Sequence, residues 1–256
     1  MQRSLGSPLV LIALAALMVG SLLASGPARA EDKRLSIYCW QGHGTGSNLK
    51  NPKFEPKWRA VLEDAKNDIT IEIFPSAERI LERAAKSDIL YTSTHSGVPK
   101  GASEQGVQIG EKGDPRYVLL ASEIAAANAR RPRLVVVNGC STLPLLPEEG
   151  AVRNLATAFG INAATKGRAY IGFQDVHGGA KGDDFFRVFF YFWSGVGGKD
   201  LTLAQAADKA RDYINEQVDK LGGDRAQEFL LSKAAATVRK DMVILGDATL
   251  RYRDLR

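Results

Sequence analysis

The chain is expected to fold as an α/β domain, a three-layer sandwich with a mainly parallel central sheet and helices on both faces. Three observations lead there. Strand-like and helix-like segments alternate along the sequence, the pattern of a parallel sheet covered on both sides. Two of the strand-like runs, 88–94 and 133–139, are short β-branched, apolar stretches, as strands buried on both faces must be. Each stops abruptly at small residues and delivers one reactive side chain there, His95 from the first and Cys140 from the second.

The elements follow in order. Residues 35–40 read as a strand and lead into a Gly-rich loop, 41–46, that carries His43. Residues 54–66 read as a helix, with Pro56 tolerable in its first turn. Strand 69–74 comes next, and Ser76 with Arg79, Ile80 and Ala84 opens the following helix. After the His95 strand, 106–119 reads as a hairpin turning at Gly113, Asp114 and Pro115, and 120–130 as an Ala-rich helix. Beyond the Cys140 strand, 151–164 is expected to be helical and 168–174 a fifth strand ending at Asp175, Val176 and His177. Residues 184–193 form an aromatic helix whose Phe185, Phe186, Phe189, Phe190 and Phe192 read as core. Residues 202–220 are amphipathic, with Leu203, Ala206, Ala210, Tyr213, Ile214 and Val218 on or near one face. A helix over 225–239 leads into a last strand, 242–245, closing at Gly246 and Asp247. No repeat, low-complexity tract or linker is visible, so residues 31–256 are expected to be a single domain.

Residues 1–30 read as a secretory signal peptide. Arg3 supplies the positive start, 8–23 is almost wholly apolar, and Ala28, Arg29 and Ala30 offer a small-x-small cleavage site. The apolar run approaches the ~17–25 residues that span a bilayer, which makes an uncleaved anchor the alternative. No later segment is long and apolar enough to cross a membrane. The mature chain is therefore expected in the periplasm or secreted, with no membrane attachment after cleavage. The formal charge of +5 includes Arg3 and Arg29, which leaves +3 on the mature chain. So small a surplus, with weak clusters at Arg130-Arg131 and 251–256, excludes a nucleic-acid footprint.

Two cysteines in an exported chain invite a disulfide between Cys39 and Cys140. The expected strand order puts a third strand between them, at about twice the ~4.8 Å strand spacing. That exceeds the ~7 Å Cα limit for a bridge. A buried cysteine after a strand is also often mere packing, and this alternative stays open for Cys140.

All three histidines, His43, His95 and His177, fall in Gly-containing loops just after expected strands, and Cys140 falls in the same kind of place. In open α/β sheets, ligands bind outside the carboxyl ends of the strands. An imidazole and a thiol delivered there by neighbouring strands form a nucleophile–base dyad. The rival chemistry is zinc held by His43, His95, His177 and Cys140, although no close ligand spacing such as His-x-x-x-His supports it.

With these residues in place, the sequence resembles the caspase-like cysteine peptidases, nearest to the bacterial CHAT and gingipain-like group, across nearly all of residues 34–253. An apolar block runs into His95 with Gly97 close behind, a hairpin and helix follow, and a second apolar block ends in Gly139 and Cys140. The 45 positions between His95 and Cys140 agree with the roughly fifty-residue spacing of caspases. Residues 134–142 look like the nucleophile strand of the group, 158–192 like the segment that follows it, and 243–251 like its terminal strand. Two departures stand out: Ser96 intervenes where the family usually has His-Gly, and Ala248 replaces the usual proline after Gly-Asp.

The resemblance implies a caspase-like fold and a cysteine endopeptidase, with Cys140 as nucleophile and His95 as its acid–base partner. Backbone N–H groups of Cys140 and of Ser96 or Gly97 would hold the oxyanion, with Gly139 as the small residue before the nucleophile. Loops after the first, fourth and fifth strands would line the substrate pocket, offering His43, Ser141, Thr142 and Asp175. An acidic Asp175 would suit an Arg or Lys side chain at the scissile position; an Asp bonding only its own loop is the alternative. A peptide or protein substrate is implied, with no cofactor and no metal. A non-catalytic caspase-like binding module is the remaining reading.

Overall fold

Strands buried on both faces need mostly apolar side chains in both directions, and three strands here are buried at every position, with Thr92, Ser93 and Asn138 as polar exceptions near their ends. β3 (Ile89–Ser93), β7 (Leu134–Asn138) and β8 (Ala169–Phe173) are buried throughout in a computed structural model of the chain. The structure describes residues 33–42, 49, 55–99, 102–110, 118–127, 132–143, 154–174, 179–222, 226 and 231–256. The expected signal peptide, 1–30, lies outside the described residues.

Six strands form the main sheet: β1 (Ser36–Gln41), β2 (Asp68–Ile73), β3, β7, β8 and β9 (Met242–Gly246), in the order β2-β1-β3-β7-β8-β9. The pairs β1–β2, β1–β3, β3–β7 and β7–β8 are parallel, and β9 runs antiparallel to β8. A second, antiparallel sheet joins β4 (Ser96–Gly97), β5 (Gly106–Gln108) and β6 (Val118–Leu120). The expected hairpin is thus present as β5 and β6, although its turn at 113–115 lies outside the described residues. β4 is an addition, because two residues are too short to show any periodicity.

The period-two alternation of strands splits the core into two layers. Ile37, Cys39, Tyr91, Val136, Ile171 and Phe173 point to one face. There they meet α1 (Glu55–Asp64), α5 (Gly179–Trp193), α6 (Leu203–Leu221) and α7 (Lys233–Asp241). Tyr38, Trp40, Leu90, Val135, Val137 and Tyr170 point to the other face, against α2 (Ala77–Ala84), α3 (Ala121–Ala126) and α4 (Leu155–Ala158). The expected α/β sandwich, a mainly parallel sheet covered on both faces, is the architecture observed. The aromatic helix is core, as expected: Phe186 meets the Tyr91 ring edge-on at 5.6 Å, and Phe190 meets Trp58 likewise at 5.5 Å. Among the described residues, no helix is long and apolar enough to cross a membrane.

Two helices are shorter than their sequence patterns suggest. In place of 151–164, α4 covers four residues, Leu155–Ala158; Asn154 caps its start by accepting the Thr157 amide at 2.8 Å, and Gly160 closes it in the left-handed region at φ 68°. Asn162 and Thr165 then tie their own turn, with Ala164 N–H donating to Asn162 Oδ1 at 3.0 Å. In place of 225–239, α7 begins at Lys233 because Ser232 accepts the Ala235 amide at 3.1 Å. Of the expected earlier turns, only Ala226 and Leu231 are described.

Burial also sets an alkaline limit on stability. Burial pushes the Cys39 thiol from its ordinary 9.0 up to about 12. It also raises the Tyr91 and Tyr170 phenols, and raises Tyr38, which hydrogen-bonds Glu72 as well. The folded chain keeps these protons above pH 9 while an unfolded chain releases them, so the folded state binds more protons and stability falls as pH rises. Cys39 alone is expected to remove about 1.4 kcal/mol by pH 10. Urea midpoints measured at pH 8 and pH 10 check this, and Cys39→Ala should shrink the drop between them.

Candidate active site

The site is built where β3 and β7 end. Their ladder runs in parallel from Ile89 opposite Leu134 to Ser93 opposite Asn138, and Thr94 N–H adds a last bond to Asn138 O at 3.1 Å. His95 follows at once and is exposed, and Cys140 follows Asn138 by two residues and is half-buried. The first strand closes on the same rim. Gly42 N–H donates to Ser93 O at 3.0 Å, and a Cβ on Gly42 would lie 2.1 Å from both Thr94 Oγ1 and Gln108 O. Only glycine permits that approach.

The two strand ends touch. The Ser96 hydroxyl donates to the Cys140 carbonyl. Gly139 makes room for it: a Cβ there would lie 2.3 Å from Thr94 O and 2.7 Å from Ser96 Oγ. The Gly139 N–H is occupied, donating to Val137 O at 3.1 Å. Its part is therefore to admit a close approach rather than to hold an oxyanion. Gln108 N–H donates to His95 O at 2.8 Å, with Ser96 opposite Val107. Backbone groups alternate sides along a strand, so the Ser96 N–H faces away from β5 while that of Gly97 faces toward it. Of those two amides, the β4–β5 ladder leaves that of Ser96 outside it.

The segment after Cys140 is held at several points. Ser141 sits at φ +47°, a left-handed conformation uncommon for serine. Gln105 Nε2 donates to Ser141 O at 2.6 Å, while Gln105 Oε1 accepts the Leu155 amide at 3.0 Å. Thr142 Oγ1 accepts the Phe173 amide at 2.7 Å, and Leu143 N–H donates to Phe173 O at 2.9 Å. A backbone conformation costing about 1–3 kcal/mol persists only where its surroundings enforce it, and these bonds do so.

The structure thus brings together Ser96, Gly139, Cys140 and Ser141, with His95 on the neighbouring strand end. His43, Asp175 and His177 lie outside the described residues. Among the described residues no group of three ligating side chains forms a metal cluster. Neither Cys39 nor Cys140 is in a disulfide; Cys39 is buried on β1, and β3 stands between it and the β7 end. Gln105 was not singled out from the sequence. Nor were Tyr91, Asn138 and Asp183, which hydrogen-bond one another beneath the rim. Their signal is polarity in the wrong place: Asn138 ends a run of Leu and Val, and Asp183 precedes an aromatic stretch.

No family model and no curated protein matches the chain. Among solved structures, the chain is similar to the Drosophila initiator caspase Dronc, at 9% identity and a TM-score of 0.41, over 72% of this chain and 75% of that one.

Proposed function

We propose that the chain is a caspase-like cysteine endopeptidase, with Cys140 and His95 as its dyad. The observation that carries this reading is the junction of two adjacent strand ends, where Ser96, next to His95, hydrogen-bonds the carbonyl of Cys140. The half-buried setting of Cys140 supports it further, because a packing cysteine would sit as Cys39 does, at 0% exposure.

The reaction is acyl transfer. His95 takes the thiol proton, Cys140 Sγ attacks the substrate carbonyl, and a tetrahedral oxyanion forms. Backbone N–H groups, with Ser96 the favoured donor from β4, would stabilise that charge; one such donor is worth about 3–4 kcal/mol in proteases. The C–N bond then breaks as His95 returns its proton to the leaving amine. Water, deprotonated by His95, releases the acid and restores the thiol. The runs 134–142, 158–192 and 243–251, which look like segments of the CHAT and gingipain-like group, support a place nearest to it. Asp175 would favour an Arg or Lys at the scissile position. Residues 1–30 would direct export, and the partner is a peptide or protein substrate.

The test is a thiol-directed peptidyl probe carrying Arg or Lys at its reactive end, with a matched Glu probe. The mature protein should be labelled fast, at Cys140 and not at Cys39, and the label should be lost in Cys140→Ala and His95→Ala. Labelling indifferent to His95 would point to a non-catalytic module, and equal rates for the Glu probe would end the basic preference alone.

A further inference from the structure

The dyad uses the groups on the rim and leaves unexplained the buried polar cluster one rung below. We propose that Asp183 is a positioning residue of this active site: acting through Asn138, Tyr91 and Ser93, it locks the last rung of the β3–β7 ladder and so sets the spacing of His95 and Cys140. The proposal rests on the peptidase reading.

Asp183 lies on α5 at 0% exposure, and Tyr91 and Ser93 on β3 and Asn138 on β7 are buried to the same degree. A carboxylate is costly to bury unless hydrogen bonds replace its water. Tyr91 OH donates to Asp183 Oδ1 at 2.5 Å, and Asn138 Nδ2 donates to the same oxygen at 2.8 Å. Asn138 Nδ2 also lies 3.1 Å from Tyr91 OH and 3.2 Å from Ser93 Oγ. One amide thus spans both strands and the helix. The helix is pressed against it through Gly182, whose Cβ would lie 2.0 Å from Asn138 Oδ1.

Stability alone does not call for this cluster. Elsewhere this core layer is filled with Val, Ile, Phe and Trp, and apolar groups of similar volume often hold a core as well as a buried polar set does. What the cluster adds is direction. Ser93 and Asn138 are partners in the last rung of the parallel ladder, and His95 and Cys140 each stand two residues beyond it. A slip or splay at that rung moves imidazole and thiol apart, and a misplacement of about 1 Å can cost a reaction roughly 100-fold.

The experiment uses the mature protein with Asp183→Asn, Tyr91→Phe, and the exchange Asn138→Asp with Asp183→Asn, which keeps one amide facing one carboxylate. Two quantities are read below the melting temperature: the His95 ring C–H signal by NMR, assigned with His95→Gln, and the rate at which iodoacetamide modifies Cys140. The two single variants should shift the His95 signal and slow Cys140 labelling by roughly 10-fold. The exchange should bring both back toward wild type. Variants that melt earlier while leaving signal and rate unchanged would overturn the proposal. If Asp183→Asn does not fold, Tyr91→Phe, which deletes one hydroxyl, decides. Should wild-type labelling prove independent of His95, the peptidase reading falls separately, and the His95 signal still reports whether the cluster holds the strand ends.

Discussion

Cys140→Ala and His95→Ala are each expected to lower kcat/KM for peptide hydrolysis by about 10³-fold or more, with little change in melting temperature. Removing the nucleophile removes the acyl step, and an acid–base partner typically supplies about 10²–10⁴-fold. Both residues stand on the rim, His95 exposed and Cys140 half-buried, so neither contributes a core contact whose loss would unfold the domain. Because the two side chains act as one unit, the double variant should be no worse than the poorer single one. Steady-state kinetics beside a melting curve check this. Multiplicative losses would mean that imidazole and thiol act separately.

The second large effect is expected at Gly139. Gly139→Ala puts a methyl group 2.3 Å from the Thr94 carbonyl oxygen and 2.7 Å from Ser96 Oγ. The Thr94 atom is backbone, held by the ladder, and cannot swing aside as the end of a long side chain would. Overpacking of this kind costs about 1–3 kcal/mol of stability. The greater consequence is for activity, because relief of the clash must displace the Ser96 segment or Cys140 itself. A drop of roughly 100-fold or more in kcat/KM is expected, larger than the stability loss would produce at a temperature where the variant stays folded. Full activity in Gly139→Ala would show that the Ser96–Cys140 contact is dispensable.

Much of this was legible in the sequence, for a definable reason. β3 and β7 are visible because strands buried on both faces require short, mainly apolar and β-branched runs, and the small residues after them mark where the chain leaves the sheet. The amphipathic α6 is visible because its buried residues recur at helical spacing. What stayed hidden depends on contacts between distant segments. Asp183 meets Tyr91 across 92 positions and Asn138 across 45. Gln105 reaches Ser141 across 36, and no local pattern encodes such pairings. α4 ends early because Gly160 and the Asn162 turn override an otherwise helical run. Within the site, the positions of His95 and Cys140 after their strands could be read. Which amide stays outside the β4–β5 ladder could not, because that follows from the register of β4 on β5.

Activation of Cys140 by His95 is tested most directly by the rate of iodoacetamide alkylation at neutral pH, followed at Cys140 by mass spectrometry in the wild type and in His95→Ala. Cys39, buried and held protonated, serves as the internal reference. Cys140 is expected to react roughly 10- to 30-fold faster in the wild type than in His95→Ala, while Cys39 stays unmodified in both. Equal rates at Cys140 in the two proteins would contradict that activation.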